Sequence, residues 1–154
     1  MPGSNKGEFQ VNGMKRTGPA LDDIKIHVKV KLSALWAAVM FCYIYGDIFR
    51  LFQHGELQEM LDGKMWGLPV TQGVLVGTSA FIAIPSLMVF LSLILRPDVN
   101  RWANILFGVV YTGVMLYTMM FSGAWAYYVF LGVIEVALTL LIVWYAWNWP
   151  RAQS

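Results

Sequence analysis

The sequence predicts an all-α integral membrane protein, a bundle of four antiparallel transmembrane helices. Three observations carry that expectation. Of 154 residues, 58% are hydrophobic and 13% are charged, about half the charged share of a typical soluble domain. Lipid in place of water as the outer solvent accounts for the shortfall. Four apolar stretches are each long enough to cross a bilayer, which takes roughly 20 residues of helix. The seven tryptophans fall near the ends of those stretches, where the headgroup zones of a membrane lie. The length suits one domain.

Residues 1–23 read as a disordered cytoplasmic tail. They hold Gly, Asn, Ser, Lys and acidic residues with no apolar run, so they are no secretory signal. The membrane domain runs over 24–150 and a short tail over 151–154. The domain opens on Ile24-Lys25-Ile26-His27-Val28-Lys29-Val30-Lys31. Strict alternation is a strand signal, but a strand without a partner is not stable. The segment is therefore expected as an extended lead-in that turns into helix near Val30. Its lysines sit in the headgroup zone, each adding about 1 kcal/mol of attraction to anionic lipid.

The first span covers about 32–53. It contains Cys42, read as a small packing residue, and it carries Asp47 and Arg50 in its last third. A charge inside hydrocarbon costs about 2.5–3.5 kcal/mol on insertion scales, so these two should be met inside the protein. Residues 56–62 follow as a short amphipathic helix, with Leu57, Met60 and Leu61 on one face and Gly63 as its stop. Trp66 and Leu68, before Pro69, read as an interfacial anchor.

The second span covers 71–95, with Thr71 as N-cap. Gly73 and Gly77, followed by Thr78, Ser79 and Ala80, form a small-residue seam. It is expected to admit another helix of the same chain, with homo-oligomerisation through Gly73 and Gly77 as the alternative. Pro85 removes a backbone donor and frees the carbonyl of Phe81, which a neighbour must satisfy. Arg96 to Arg101 reads as a tight polar turn. The third span covers 102–122, and Ser122-Gly123-Ala124 forces the fourth, 125–147, to lie antiparallel beside it. Pro150 stops the fourth span.

Basic residues set the expected orientation. Lys6, Lys15, Arg16, Lys25, Lys29, Lys31, Arg96, Arg101 and Arg151 fall on one side. Lys64 stands on the other, beside Glu56, Glu59 and Asp62. The positive-inside rule then places both termini in the cytoplasm, for a multi-pass protein of the inner (plasma) membrane. Trp36, Trp102, Trp144, Trp147 and Trp149 mark the inner boundary; Trp66 and Trp125 mark the outer.

The polar residues of the spans are the candidate site. Helical stacking puts Met40, Tyr43, Asp47 and Arg50 on one face of the first span. Asp47 and Arg50, three apart, are expected to pair and brace the outer end. Tyr128, Gly132, Glu135 and Thr139 share a face of the fourth span. Glu135 lies ten residues from Trp125, roughly 15 Å along the axis, near the middle of the hydrocarbon. The third span offers Asn104, Gly108, Tyr111 and Met115; the second offers Ser79 and Ser86. Convergence of these faces gives a polar core in the outer and middle layers. An isolated carboxyl at the depth of Glu135 is held neutral. It can donate to a carbonyl, accept from Tyr111, or trade its proton for a cation. Two roles follow: a hydrogen-bonded strut, or a proton or ligand site. Tyr43, Tyr111 and Tyr128 read as packing residues with satisfied hydroxyls.

Other chemistry finds no support. His27 and His54 fall on opposite sides, so no metal site uses both. There is no phosphate-binding Gly loop and no nucleophile elbow, so no cofactor is expected. Topology explains the basic residues without nucleic acid. The expected function is binding of a small or lipophilic ligand, or support of a membrane complex, through the polar core and without catalysis. One alternative is a proton-coupled transporter of cations built on Glu135. Another is a membrane enzyme acting on a lipid or quinone, with Glu135 or Asp47 as its acid-base group.

Three motifs, KVKLSALWAAVMFCYIYGDIFRLF, NRWANILFGVVYTG and IEVALTLLIVWYAWNWP, together resemble an uncharacterised family of small bacterial four-span membrane proteins, a domain of unknown function. The likeness covers most of 28–150. It implies a fold and a membrane address, and no activity. By this resemblance Tyr43, Asp47, Trp102, Asn104, Glu135 and Trp144 occupy motif positions. Relatives often carry an acidic residue two before the second-span proline, where this chain has Ala83; that disfavours a third core carboxylate. The architecture is also similar, more distantly, to the DoxX-like four-span proteins.

Overall fold

The computed structural model describes residues 25–121 and 125–150. The tail at 1–23 with Ile24 of the lead-in, the link at 122–124 and the C-terminal residues 151–154 lie outside the described residues. The elements in order are α1 (Val28–Arg50), α2 (Glu56–Leu61), β1 (Lys64–Met65), β2 (Leu68–Pro69), α3 (Gln72–Ile94), α4 (Pro97–Phe121) and α5 (Ala126–Trp147). Helices α1, α3, α4 and α5 are each long and apolar enough to cross a membrane. Their outward faces carry Phe41, Ile48, Phe90, Leu106, Phe130 and Val133, all exposed. An apolar surface this extensive needs lipid as its solvent. The fold is an all-α, four-helix membrane bundle.

Helix α1 packs extensively on α3 and on α5, and α5 on α4; α3 and α4 approach each other less closely. One end of the bundle gathers the start of α1, the α3–α4 link and the end of α5. It holds Lys25, Lys29, Lys31, Arg96 and Arg101 and is called the basic end here. The loop end holds α2 and the hairpin.

Local chemistry sets the helix boundaries. Helix α1 starts at Val28, earlier than alternation suggests, because the His27 side chain accepts from the Lys29 amide at 3.2 Å. Lys29 then caps a different helix: its Nζ donates to the carbonyls of Leu95 at 2.7 Å and Leu93 at 3.3 Å, at the C-terminus of α3. Thr71 caps α3 through the Val74 amide at 3.3 Å. Helix α4 begins at Pro97, so 97–101 is helix and the turn shrinks to Leu95 and Arg96. Proline suits a first helical position, where its missing N–H is not needed.

The hairpin β1–β2 was not legible in the sequence. Lys64 pairs with Pro69 and Met65 with Leu68 around a two-residue turn. Both turn residues have positive φ, 53° at Trp66 and 73° at Gly67. This is the geometry that suits a two-residue hairpin, for which Asn-Gly is the usual signal.

Packing is dense at the basic end and thins toward the loop end. Helix α1 buries Leu32, Trp36 and Val39 and nothing beyond; α3 buries Pro85, Met88 and Ser92 and nothing before them. Helices α4 and α5 continue the core further, to Met115 and Gly132.

Pro85 frees the carbonyl of Phe81, and the Tyr111 hydroxyl of α4 donates to it at 2.5 Å. The two rings also lie against each other, tilted by 35°, with centroids 4.7 Å apart. Tyr111→Phe keeps the ring and orphans that carbonyl, because proline has no N–H to return. The expected loss is about 1–2 kcal/mol, read as a lowered unfolding temperature in detergent.

Candidate functional site in the bundle interior

The register between α1 and α5 builds the site. The ring of Phe49 meets that of Tyr127 at 6.0 Å, and Gly46 lies against Leu131. Counting inward along both helices brings Cys42 and Tyr43 to the level of Glu135. Glu135 is only 4% exposed, and its Oε2 has no hydrogen-bond partner among the described residues. Both Cys42 and Tyr43 lie close enough to interact electrostatically with it, and so does Asp47 further toward the loop end. Tyr43 is also in that range of Tyr111 and Tyr128, and its ring centroid is 6.4 Å from that of Tyr111.

One helical turn from Glu135 sits Gly132. A Cβ there would lie 2.5 Å from Met115 Cε and 2.7 Å from Met119 Sδ. The glycine leaves a socket that two flexible thioether side chains fill. On the basic side of Glu135, Thr112 donates to Thr139 Oγ1 at 2.7 Å, and Thr139 donates to the backbone carbonyl of Glu135 at 2.9 Å. This hydroxyl pair holds α4 to α5 and leaves the carboxyl itself untouched.

Deeper toward the basic end lies a buried amide network. Trp36 Nε1 donates to Asn104 Oδ1 at 2.7 Å, and Ser92 Oγ reaches the same oxygen at 3.4 Å. Asn104 Nδ2 donates to the carbonyl of Asn100 at 2.8 Å and to its Oδ1 at 2.7 Å. Asn100 Nδ2 donates to the carbonyl of Ser92 at 2.6 Å. All four residues are fully buried, and together they tie α1, α3 and α4. Trp36 therefore belongs to the interior and not to the interfacial belt. Of this set, Asn104 alone had been placed on the inward face; the pair Asn100 and Asn104, four apart, is the signal that points to the rest.

Several expectations are corrected. Arg50 does not pair with Asp47. Its Nη2 lies 2.6 Å from Glu56 of α2, and its guanidinium sits 5.4 Å from the Trp66 ring. Helix α1 ends at Arg50, so the chain turns back and offers Glu56 at close range. Asp47 is exposed instead. Gln53 donates to the Tyr127 hydroxyl, so three contacts fasten the segment holding α2 and the hairpin to the bundle. Ser79 and Ser86 are both exposed and line no interior. Ser86 donates to the carbonyl of Ile82 at 3.1 Å, within its own helix. Gly73 and Gly77 are exposed too, and a Cβ at Gly77 would meet nothing within 4 Å, so no helix of this chain closes on that seam. Tyr111 gives its proton to Phe81 and not to Glu135.

The structure brings together Glu135, Tyr43, Tyr111, Thr139 and, at the half-buried edge, Tyr128. It leaves Asp47 at the rim. No group of three or more His, Cys, Asp or Glu side chains suited to a metal ion is present among the described residues.

Comparison with known proteins gives a family and no activity. A family described as a family of unknown function, DUF6326, matches residues 23–154. No curated protein and no solved structure matches.

Proposed function

The chain belongs to the DUF6326 family, and from that premise we propose that it binds a small lipophilic ligand in the membrane through the carboxyl of Glu135. One observation carries the reading: a carboxyl oxygen sealed inside the bundle with no partner among the described residues. Leaving such a group unpaired costs about 1–3 kcal/mol, and native interiors seldom accept that without a reason. A ligand that donates a hydrogen bond, or carries positive charge, supplies the missing partner. The thinning of the core toward the loop end and the displaceable Met115 and Met119 favour entry from that end. The excess of basic residues at the opposite end favours an inner-membrane address with both termini cytoplasmic.

Thermal unfolding in detergent tests the reading, using small lipophilic compounds, neutral and charged. At least one is expected to raise the midpoint of the wild type and to leave Glu135→Gln unmoved. At a hundred times Kd the stabilisation is about 2.7 kcal/mol. A wild type that no compound stabilises, or an equal response in Glu135→Gln, contradicts the reading.

A further inference from the structure

The chemistry around Glu135 narrows the ligand class. Helix α1 brings Cys42 and Tyr43 to its level, with Asp47 at the exposed rim still within electrostatic range. Helix α4 presents no charged group at that level, only Tyr111 near Tyr43 and the thioethers of Met115 and Met119. Helix α3 has no titratable residue anywhere along its length. Arg50, the nearest cation on the same face of α1, is already held by Glu56. The interior of the loop-end half therefore contains the Glu135 carboxyl, tyrosine rings and polarisable sulfur, with Asp47 at its exposed rim and no buried cation beside Glu135 among the described residues. Carboxylate with aromatic faces is the recognition chemistry of an organic ammonium ion. A small metal ion would want several oxygen ligands, and no group of three or more His, Cys, Asp or Glu side chains that could supply them is there among the described residues.

We infer that the site takes a small organic cation in exchange for the proton of Glu135. This rests on the ligand-binding reading above. Before the cation binds the carboxyl is neutral, since a lone carboxylate in a dry interior has nothing to meet its charge. As the cation enters, the O–H bond of Glu135 breaks and its electron pair stays on the oxygen. The proton leaves to bulk water past the exposed carboxylate of Asp47. One positive charge enters and one leaves, so the interior gains no net charge. Because cation and proton compete for one carboxyl, binding tightens as pH rises, by about tenfold per pH unit while the free site is protonated.

The experiment uses benzyltrimethylammonium and its neutral isostere neopentylbenzene, with full-length protein in weakly buffered detergent and a pH-indicating dye. The cation is expected to bind with release of about one proton. Glu135→Asp is expected to keep the release with weaker binding, and Glu135→Gln to lose both. A thermal shift with neopentylbenzene reports whether each variant retains a folded site. Cation binding without proton release overturns the inference while leaving the ligand-binding reading intact. Equal cation affinity in Glu135→Gln, binding of neopentylbenzene alone, or failure of both compounds to bind overturns the two together.

Discussion

Replacing Asn104 with leucine is expected to destabilise the bundle by about 2–4 kcal/mol. Three helices meet at this side chain. Its Oδ1 takes the indole proton of Trp36 at 2.7 Å, and its Nδ2 donates twice to Asn100. Leucine removes all of these at once and leaves the Trp36 N–H and the Asn100 Oδ1 facing an apolar group. Individual hydrogen bonds between membrane helices contribute little, about 0.6 kcal/mol on average. The expected size here comes from orphaning several buried groups together. Ser92→Ala is the control, since its bond to Asn104 is long, at 3.4 Å, and its loss should cost less than about 1 kcal/mol. Reversible unfolding in detergent, followed by tryptophan fluorescence, measures both. An Asn104→Leu variant as stable as the wild type would show that these bonds do not hold α1, α3 and α4 together.

Gly108→Leu is expected to have an effect of similar or greater size, by a steric route. A Cβ at this position would stand 2.7 Å from Val143 Cγ2 and 3.4 Å from the Thr139 carbonyl. Valine is branched at Cβ and stiff, and the carbonyl belongs to helical backbone, so neither neighbour yields cheaply. Alanine there should cost about 1–3 kcal/mol, and leucine should prevent the close approach of α4 to α5. Gly132→Ala makes contacts as short on paper, but its neighbours are the far ends of Met115 and Met119, which can move aside. It should cost less than Gly108→Ala. Gly113, with nothing within 4 Å, should gain about 0.5–1 kcal/mol on replacement by alanine, because glycine weakens a helix. The predicted order of stability is Gly113→Ala, then wild type, Gly132→Ala, Gly108→Ala and Gly108→Leu.

The glycines also show where sequence reasoning stops. Spacing alone drew attention to Gly73 and Gly77, two small residues four apart, yet the glycine that admits a helix is Gly108. A nearly uniform apolar helix such as α3 has no polar stripe to say which way it faces, so Ser79 and Ser86 were assigned to the interior without a periodic signal behind them. Helices with one clear polar face were easier. Asn104, Gly108, Tyr111 and Met115 share a face and all are buried, and Gly132, Glu135 and Thr139 do the same on α5. Pro85 was legible for a different reason: its missing N–H names the one carbonyl that must be satisfied elsewhere, although not the donor. The Arg50 pairing was out of reach because it depends on the residue at which α1 ends. Two acidic partners were available, one along the helix and one across the turn, and the fold of the loop end decided between them. Trp36 was assigned to the interface from a preference of its residue type, and a buried acceptor on another helix outweighed that preference.

Everything proposed for the site depends on a carboxyl that is neutral and dry in the centre of the bundle. Infrared spectroscopy of the purified protein at neutral pH examines that group directly. The account predicts a carbonyl stretch of a protonated carboxylic acid in the wild type, resistant to solvent exchange and absent from Glu135→Gln. A spectrum in which that substitution removes only an ionised carboxylate band would contradict it.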